Sequence, residues 1–338
     1  MSLIASLIAR NDRTLLPIFL AVVLYLLIFF IRYQQGGWDL KSDLFRPQRE
    51  YLDQRISQLL PSPQSALLSG ILLGQNKSLP GQLRLALRDT STLHIVVASG
   101  QNLSMVAGFF LSLAGLVKRK HAIILSLFAV VAYTLLSGVQ VPVLRAAIMF
   151  SLASLAQIFG RQREGWWVLM LTAALMLLIN PKWITDLSFQ LSFMATFGVV
   201  VVAPILLRYL KVLPIIGQDL AVTLSAQLMV TPVIVQTFHQ ISLVSLAANA
   251  LVLWTIPFIM ILGGFMIIFS LVWGGIAWIF GLLASVMLTY FIYIVQFFAS
   301  LSFAWEYLGE QIWVVWVGYY LVLAGILIFL NSSLRGTK

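Results

Sequence analysis

Residues 251–300 read LVLWTIPFIM ILGGFMIIFS LVWGGIAWIF GLLASVMLTY FIYIVQFFAS and contain no Asp, Glu, Lys or Arg. A helix needs about 20 apolar residues to cross the hydrocarbon core of a bilayer, so this stretch is long enough for two crossings. The glycine pairs at 263–264 and 274–275 permit helices to pack closely inside a membrane. The stretch therefore predicts transmembrane helices.

Apolar runs of similar length recur along the chain on both sides of this stretch. The runs cover 15–33, 92–117, 121–138, 141–160, 165–180, 185–207, 217–237, 241–271, 276–300 and 312–331. We therefore predict an all-α fold, a polytopic transmembrane helix bundle of about ten spans with at least one broken helix. The run 241–271 is long enough to tilt or to break near Pro257.

The composition supports a membrane protein. Of the 338 residues, 61% are hydrophobic and 9% are charged, with a mean hydropathy of +0.98. A soluble domain carries about 25% charged residues because its surface faces water, so a soluble fold is excluded on composition. The chain has no cysteine, which excludes disulfides, thiolate metal sites and cysteine nucleophiles. We predict no metal, no cofactor and no enzymatic activity.

The net charge of +10 lies in the loops and predicts the orientation. Cytoplasmic loops of membrane proteins carry an excess of Lys and Arg. If ten spans start from a cytoplasmic N-terminus, five basic clusters fall on the cytoplasmic side and the acidic pair Glu306 and Glu310 falls outside. These clusters are Arg10 with Arg13, Lys118 to Lys120, Arg161 with Arg163, Arg208 with Lys211, and Arg335 with Lys338. We predict a multi-pass protein of the cell membrane with both termini cytoplasmic.

The chain divides into four predicted parts. An N-terminal transmembrane anchor covers 1–35, and an extracytoplasmic amphipathic segment covers 36–90. The main membrane domain covers 91–305, and a C-terminal helix with its tail covers 306–338. Within the second part, residues 47–60 predict an amphipathic helix. Residues 64–74 are apolar but too short to cross, so they are expected in the membrane interface or dipping into the bundle.

Polar residues inside an apolar run form the first candidate site, TLHIVVASGQNLSM at 92–105. Ser99 and Gly100 mark a point where the helix is expected to unwind. Irregular backbone at membrane depth occurs where it is buried in protein or lines water. His94, Ser99, Gly100 and Asn102 are therefore candidates for the lining of a polar cavity. The alternative is that these residues hold neighbouring helices together.

Arg145 is the second candidate, a few residues into the run that follows Pro142. An ionisable group in mid-membrane costs about 3 kcal/mol or more, so it usually faces a cavity or a partner. Two interpretations stay open for this arginine. Its long side chain could reach the headgroups from a position near the helix end, or it could be a cation of a pore or of a helix interface.

The third candidate is NPKWITDLSFQLSFMATFG at 180–198. Asp186 and Gln190 are four residues apart and share one helix face, whereas Ser192 lies on another face with Thr196. Asp186 is a candidate partner for Arg145, because one unpaired charge in lipid is worse than a pair. It could also be only the N-cap of the next helix.

These strings resemble the competence domain of ComEC proteins, most closely over about 66–207. The matching strings are LHIVVASGQN, SGVQVPVLRAAIMF and NPKWITDLSFQLSFMATFG, in the family's order and spacing. The upstream stretch LLSGILLGQNKSLP is also similar. The resemblance implies a channel that passes one DNA strand into the cytoplasm during natural transformation, and assigns 91–305 to the channel domain. The matching residues are His94, Ser99, Gly100, Gly138, Pro142, Arg145, Asn180, Pro181, Asp186, Gln190 and Ser192. Among them Gly138, Pro142, Asn180 and Pro181 are expected at helix breaks or packing contacts.

The chain also departs from the family pattern. Many members carry a second histidine just after the Ser-Gly, where this chain has Gln101 and Asn102. No HxHxDH string and no GxxxxGK[ST] string is present, so we predict a permease without its own nuclease or ATPase. The implied partners are single-stranded DNA, membrane lipid and a separate nuclease, DNA receptor and cytoplasmic motor; no oligomeric state is predicted. Lys77, Arg84 and Arg88 are candidates for gathering phosphates outside the membrane.

Two other functions compete with the channel. A secondary transporter of another polar solute uses broken helices in the same way. An intramembrane hydrolase would use Ser99, in the sequence VASG, as its nucleophile, and would need a base within reach.

Overall fold

The computed structural model describes residues 20–37, 45–75, 78–97, 99–160, 164–210 and 217–333. Its helices, in chain order, are α1 (Leu20–Gln35), α2 (Arg46–Leu59), α3 (Gln64–Leu73), α4 (Gly81–Asp89), α5 (Leu93–Val96), α6 (Gly100–Ser112), α7 (Arg119–Leu136), α8 (Val141–Ile158), α9 (Gly165–Ile179), α10 (Leu187–Phe197), α11 (Ala203–Leu210), α12 (Gly217–Phe238), α13 (Ser245–Val252), α14 (Thr255–Ser270), α15 (Gly274–Ala299) and α16 (Trp313–Ser333). Short 3₁₀ turns cover Leu113–Gly115 and Pro181–Thr185, and a π-turn covers Gly198–Val202.

The fold is helical as predicted, apart from one small ribbon. Strands β1 (Gln240–Ser242) and β2 (Trp305–Tyr307) pair antiparallel, with Ile241 opposite Glu306. This ribbon pairs the segment that follows α12 with the segment that follows α15. Among the described residues, the all-α prediction therefore holds for the architecture and misses only this two-stranded connection.

Six described helical segments are long and apolar enough to cross a membrane: α7, α8, the continuous α10–α11 segment, α12, α15 and α16. Helices α13 and α14 together form a seventh candidate span, which is bent by 43° at the break between them. The predicted count of about ten is not confirmed. The apolar helices α1, α3 and α9 are shorter in the described residues, and the run 92–117 is interrupted.

The interruption of 92–117 falls at the predicted place. Helix α5 ends at Val96, and α6 begins at Gly100. Between them Ser99 has an extended backbone, with φ −117° and ψ 166°. The Ser-Gly step therefore breaks the helix, and His94 and Asn102 do not share one continuous helix face.

The bend between α13 and α14 lies just before Pro257. Proline has no N–H to donate and its ring crowds the carbonyl four residues earlier, which here belongs to Leu253. Leu253 and Trp254 form the turn that separates the two helices. The break predicted near Pro257 is confirmed.

Helix α3 lies in the centre of the larger apolar core. Every residue from Ser65 to Leu73 is buried, and the core around this helix also contains Ile56 of α2, Ile259 of α14 and Phe291 of α15. The run 64–74 thus dips into the bundle, the second of its two predicted positions. Helix α2 confirms the amphipathic helix predicted at 47–60.

A second, smaller core joins α6, α7 and α8. Its fully buried members are Leu103, Ala107, Val130 and Val143. Helices α8 and α9 then lead to α10, which packs against both α8 and α12. Helix α8 therefore packs against both α6 and α10.

Candidate functional site

Helix α6 begins directly after Ser99, whose side chain bonds to the first turn of the helix. Its Oγ accepts a hydrogen bond from the Asn102 N–H at 3.4 Å and donates to Asn102 Oδ1 at 3.2 Å. Ser99 is therefore an N-cap, which satisfies one of the N–H groups that a helix start leaves unpaired. The same bonds bear on the hydrolase alternative, because the described partner of the Ser99 hydroxyl is an amide and not an imidazole.

Asn102 connects α6 to the buried helix α3. Its side chain is 1% exposed, and its Nδ2 donates to the Ile71 carbonyl at 2.8 Å. The Tyr133 hydroxyl of α7 reaches the same carbonyl at 3.5 Å. This geometry favours the predicted alternative in which Asn102 holds helices together.

Replacing Asn102 by alanine is expected to destabilise the protein by about 1–3 kcal/mol, because a buried carbonyl loses its main donor. The free energy of unfolding, measured by denaturant titration of the purified protein in mixed micelles, checks this. Gln101→Ala is the matched control, since Gln101 is exposed on the same turn. Equal stability of the two variants would contradict a structural role for Asn102.

Arg145 on α8 points into the bundle. Its Nη1 donates to Thr196 Oγ1 on α10 and lies 3.8 Å from the Met149 sulfur. Its Nε is buried without a hydrogen-bond partner. A Cβ placed on Gly100 would lie 2.9 Å from Nη2 of Arg145, so the absence of a side chain at Gly100 lets the guanidinium approach the start of α6.

The contact with Thr196 places the guanidinium well inside the bundle. Thr196 follows Leu187 by nine positions in the 24-residue span Leu187–Leu210. That corresponds to roughly 14 Å along the axis at about 1.5 Å per residue, close to half of the roughly 30 Å hydrocarbon core. The geometry favours the pore or interface cation over the headgroup interpretation.

The hypothesis that Asp186 pairs with Arg145 is wrong. Asp186 caps α10, where its Oδ1 accepts the Phe189 N–H at 2.9 Å, and no ion pair joins it to Arg145 in the described residues. Gln190 bonds locally too, donating from Nε2 to the Ile184 carbonyl at 3.0 Å. Both side chains therefore form local hydrogen bonds at the start of α10. Such bonds need no partner on a second helix.

Ser192 lies one turn before Thr196 on α10. Its Oγ is buried without a hydrogen-bond partner, while its carbonyl accepts the Thr196 hydroxyl at 2.9 Å. Buried polar atoms almost always have a partner. An unsatisfied hydroxyl beside the residue that contacts Arg145 marks this region of α10 as part of the polar site.

The remaining predicted residues lie elsewhere. His94 is exposed on α5, with Nδ1 2.8 Å from the Ser91 carbonyl. Pro142 occupies the first turn of α8, where its missing N–H costs nothing. Asn180 caps the 3₁₀ turn that begins at Pro181, accepting the Lys182 N–H at 3.1 Å.

The predicted phosphate-gathering residues lie on or near α4. Arg84 and Arg88 are both exposed on this helix. The Arg88 guanidinium forms an ion pair with Asp89 at 3.0 Å, which offsets part of its charge. Lys77 lies outside the described residues.

Arg49, which lies beside Gly138, has a buried position that the sequence did not indicate. The φ of Gly138, +81°, is in the left-handed region, and the place of its missing Cβ is occupied by the guanidinium of Arg49. Arg49 is 7% exposed, although its surroundings in the sequence are mixed charges typical of a solvated helix. No local signal indicated its burial, because the covering loop comes almost ninety residues later.

Arg32, near the end of α1, is a second residue whose role the sequence did not indicate. Its guanidinium donates to the Leu178 and Ile179 carbonyls at 3.2 and 3.4 Å. Cations are favourable at a helix C-terminus, where carbonyls lack partners. Arg32 therefore fastens α1 to the end of α9.

Taken together, α6, α8 and α10 bring Ser99, Gly100, Arg145 and Ser192 of the predicted set into one region, with Thr196 between them. The site carries one guanidinium and hydroxyl groups. In the described part of the chain no carboxylate pairs with the guanidinium. Such a site attracts anions and provides donors but no acidic group.

Comparison with known proteins identifies relatives of the chain. A family model described as Competence protein matches residues 71–333. YcaI, an uncharacterized protein of Escherichia coli (strain K12), is 28% identical over 249 residues, covering 66% of this chain and 32% of YcaI. ComE operon protein 3 of Bacillus subtilis (strain 168) is 27% identical over 213 residues, covering 62% of this chain and 26% of that protein.

An uncharacterized protein of Aquifex aeolicus (strain VF5) is 29% identical over 169 residues, covering 49% of this chain and 40% of the relative. The chain thus spans between a quarter and two fifths of the length of these relatives. No solved structure matches it. The family model covers most of the chain, including the three strings that resemble ComEC proteins, and the protein therefore belongs to the competence protein family.

Proposed function

We propose that this protein is a membrane channel that passes single-stranded DNA into the cytoplasm during natural transformation. Membership of the competence protein family supports a role in DNA uptake. Several helices long enough to span a bilayer support a path through the membrane. The cell membrane is the proposed location, with both termini on the cytoplasmic side.

The observation that carries the proposal is the polar site around Arg145. A DNA strand carries one negative charge per nucleotide, and a carboxylate on its path would repel it. The described site instead contains a guanidinium, the hydroxyls of Ser192 and Thr196, and the start of α6. This chemistry suits a polyanion better than a cation.

The proposed partners are a motor, a nuclease and a DNA receptor. These 338 residues contain no GxxxxGK[ST] string and no HxHxDH string, so we propose that the energy source and the strand-degrading activity lie outside this stretch of sequence. A DNA receptor would deliver the duplex. Arg84, Arg88 and Lys77 are proposed to gather phosphates before entry, a contribution that weakens as salt rises.

Uptake of duplex DNA with a different label on each strand tests the channel. We expect deletion of the gene in its natural host to abolish nuclease-protected label in the cytoplasm and to leave label bound at the cell surface unchanged. Complementation should restore entry of one strand label only. Undiminished cytoplasmic label in the deletion strain would contradict the proposal, and equal entry of both labels would contradict its single-strand part.

A secondary transporter of another polar solute is the second candidate, favoured by the 43° bend between α13 and α14. Discontinuous helices form substrate sites in many transporters. This function predicts that a small polar solute raises the melting temperature of the purified protein and that single-stranded oligonucleotides do not. The DNA channel predicts the reverse.

A further inference from the structure

We propose that Arg145 and the N-terminus of α6 together bind one phosphodiester group of the DNA strand, an inference that rests on the proposed function. It goes further by naming the group that is bound and the atoms that bind it. The site is the region between α6, α8 and α10 described above.

The first argument is the unused hydrogen-bonding capacity of Arg145. A guanidinium has five N–H donors. In this partly buried side chain, only Nη1 has described hydrogen-bond partners, namely Thr196 and the more distant Met149 sulfur. Nε is buried and unpartnered. Nη2, beside Gly100, makes no described hydrogen bond, so it is available to an acceptor at the start of α6.

The second argument is the start of α6 itself, a helix of 13 residues. Ser99 caps only the Asn102 N–H, and the Leu103 N–H bonds the Ser99 carbonyl. The N–H groups of Gly100 and Gln101 have no described acceptor. Free N–H groups and the helix dipole make such an end favourable for an anion.

The third argument is electrostatic. The positive end of the α6 dipole faces a guanidinium, with Nη2 2.9 Å from the place of a Gly100 Cβ. Two neighbouring positive groups repel each other in a medium of low dielectric constant. No described carboxylate offsets them. An anion between Arg145 and the helix end would satisfy the free donors of both and remove the repulsion.

A phosphodiester fits the arrangement better than other anions. It has one negative charge and two non-bridging oxygens, so one oxygen can accept from the guanidinium and the other from the helix N–H groups. Lipid headgroups carry the same chemistry but lie at the membrane surface. The contact of Arg145 with Thr196, nine positions into the α10–α11 span, favours a strand passing through the bundle.

Binding of a fluorescein-labelled oligothymidylate tests the site. The full chain is reconstituted in nanodiscs of phosphatidylcholine, and the dissociation constant is measured by fluorescence anisotropy at several salt concentrations. The variants are Arg145→Gln, which removes the charge, and Arg145→Lys, which keeps the charge with fewer donors. Arg46→Gln is the matched control, because Arg46 is exposed and paired with Glu50.

Arg145→Gln is expected to weaken binding about tenfold or more, as for a hydrogen bond to a charged group. It should also reduce the slope of log K against log salt by about 0.7, the value for one phosphate contact of a single strand. Arg145→Lys should keep the slope and lose part of the affinity. A neutral methylphosphonate oligothymidylate should bind the wild type and Arg145→Gln equally.

Three results would overturn the site. The first is an unchanged salt slope in Arg145→Gln. The second is an equal loss of affinity in Arg46→Gln. The third is loss of a bound phosphatidylglycerol from Arg145→Gln by native mass spectrometry with unchanged oligothymidylate binding, which would assign the site to lipid. Size-exclusion profiles identify misfolded variants. If Arg145→Gln misfolds, Arg145→Lys carries the test through its affinity, because it keeps the charge with fewer donors; unchanged oligothymidylate affinity in Arg145→Lys would then overturn the site.

The uptake and binding experiments distinguish a wrong phosphodiester site from a wrong channel function. If deletion of the gene abolishes uptake but Arg145→Gln binds the oligothymidylate with an unchanged slope, the phosphodiester site is wrong and the channel stands. If deletion leaves uptake unchanged, the proposed function itself is wrong.

Discussion

Gly198→Ala is expected to destabilise the protein by about 3 kcal/mol, the upper part of the usual range for overpacking a close-packed core. Gly198 is buried at the π-turn that follows α10. A Cβ at this position would meet the Ser225 carbonyl oxygen of α12 and lie 3.0 Å from the Met229 Cγ. The backbone at Ser225 cannot rotate away as a side chain can, so α10 and α12 must separate.

Gly264→Ala is the matched control for this substitution. Gly264 is also inside a helix, α14, and nothing lies within 4 Å of the place of its Cβ. There alanine should be neutral or stabilise by about 0.5–1 kcal/mol through its better helix propensity. The free energies of unfolding of both variants, measured in mixed micelles, give the comparison. Equal values would show that α10 and α12 do not meet as closely as described.

Gly138→Ala should also cost about 3 kcal/mol, from two sources of similar size. A left-handed φ costs an alanine about 1–2 kcal/mol, and φ is +81° here. The new Cβ would in addition displace the buried guanidinium of Arg49. We expect a lower free energy of unfolding and a lower yield of protein in the membrane.

Gly160→Ala separates the two sources. Gly160 has a similar φ of +67° but open space around the place of its Cβ, so it should show only the backbone cost of about 1–2 kcal/mol. The difference between the variants measures the contact with Arg49. If both lose the same stability, Arg49 does not restrain the loop between α7 and α8.

Arg145 and Asp186 illustrate how far the candidate site could be predicted. The sequence identified both as costly polar residues and suggested that they pair. In the structure Arg145 contacts Thr196 inside the bundle, and Asp186 caps the start of α10. The local alternative for Asp186 was available from its position before an apolar run, because an N-cap depends only on the next three residues.

Thr196, Arg49 and Arg32 show what the sequence could not supply. Each acts through a contact more than fifty residues away: Thr196 with Arg145, Arg49 with Gly138, and Arg32 with Leu178. A helical period tells which residues share a face, but not which other helix that face meets. Arg49 even lies in a stretch whose composition is typical of an exposed helix.

The sequence by itself determined the membrane class and the helix breaks at Ser99 and near Pro257, and it left two roles open for Asp186. The class and the breaks depend on hydropathy and on backbone preferences that act over a few neighbouring residues. Only the tertiary structure decided that the apolar run at 251–300 packs around the buried helix α3, and that Arg145 faces the start of α6 with no carboxylate paired to it among the described residues. Both depend on long-range packing, in which side chains far apart in the chain compete for the same space and the same partners.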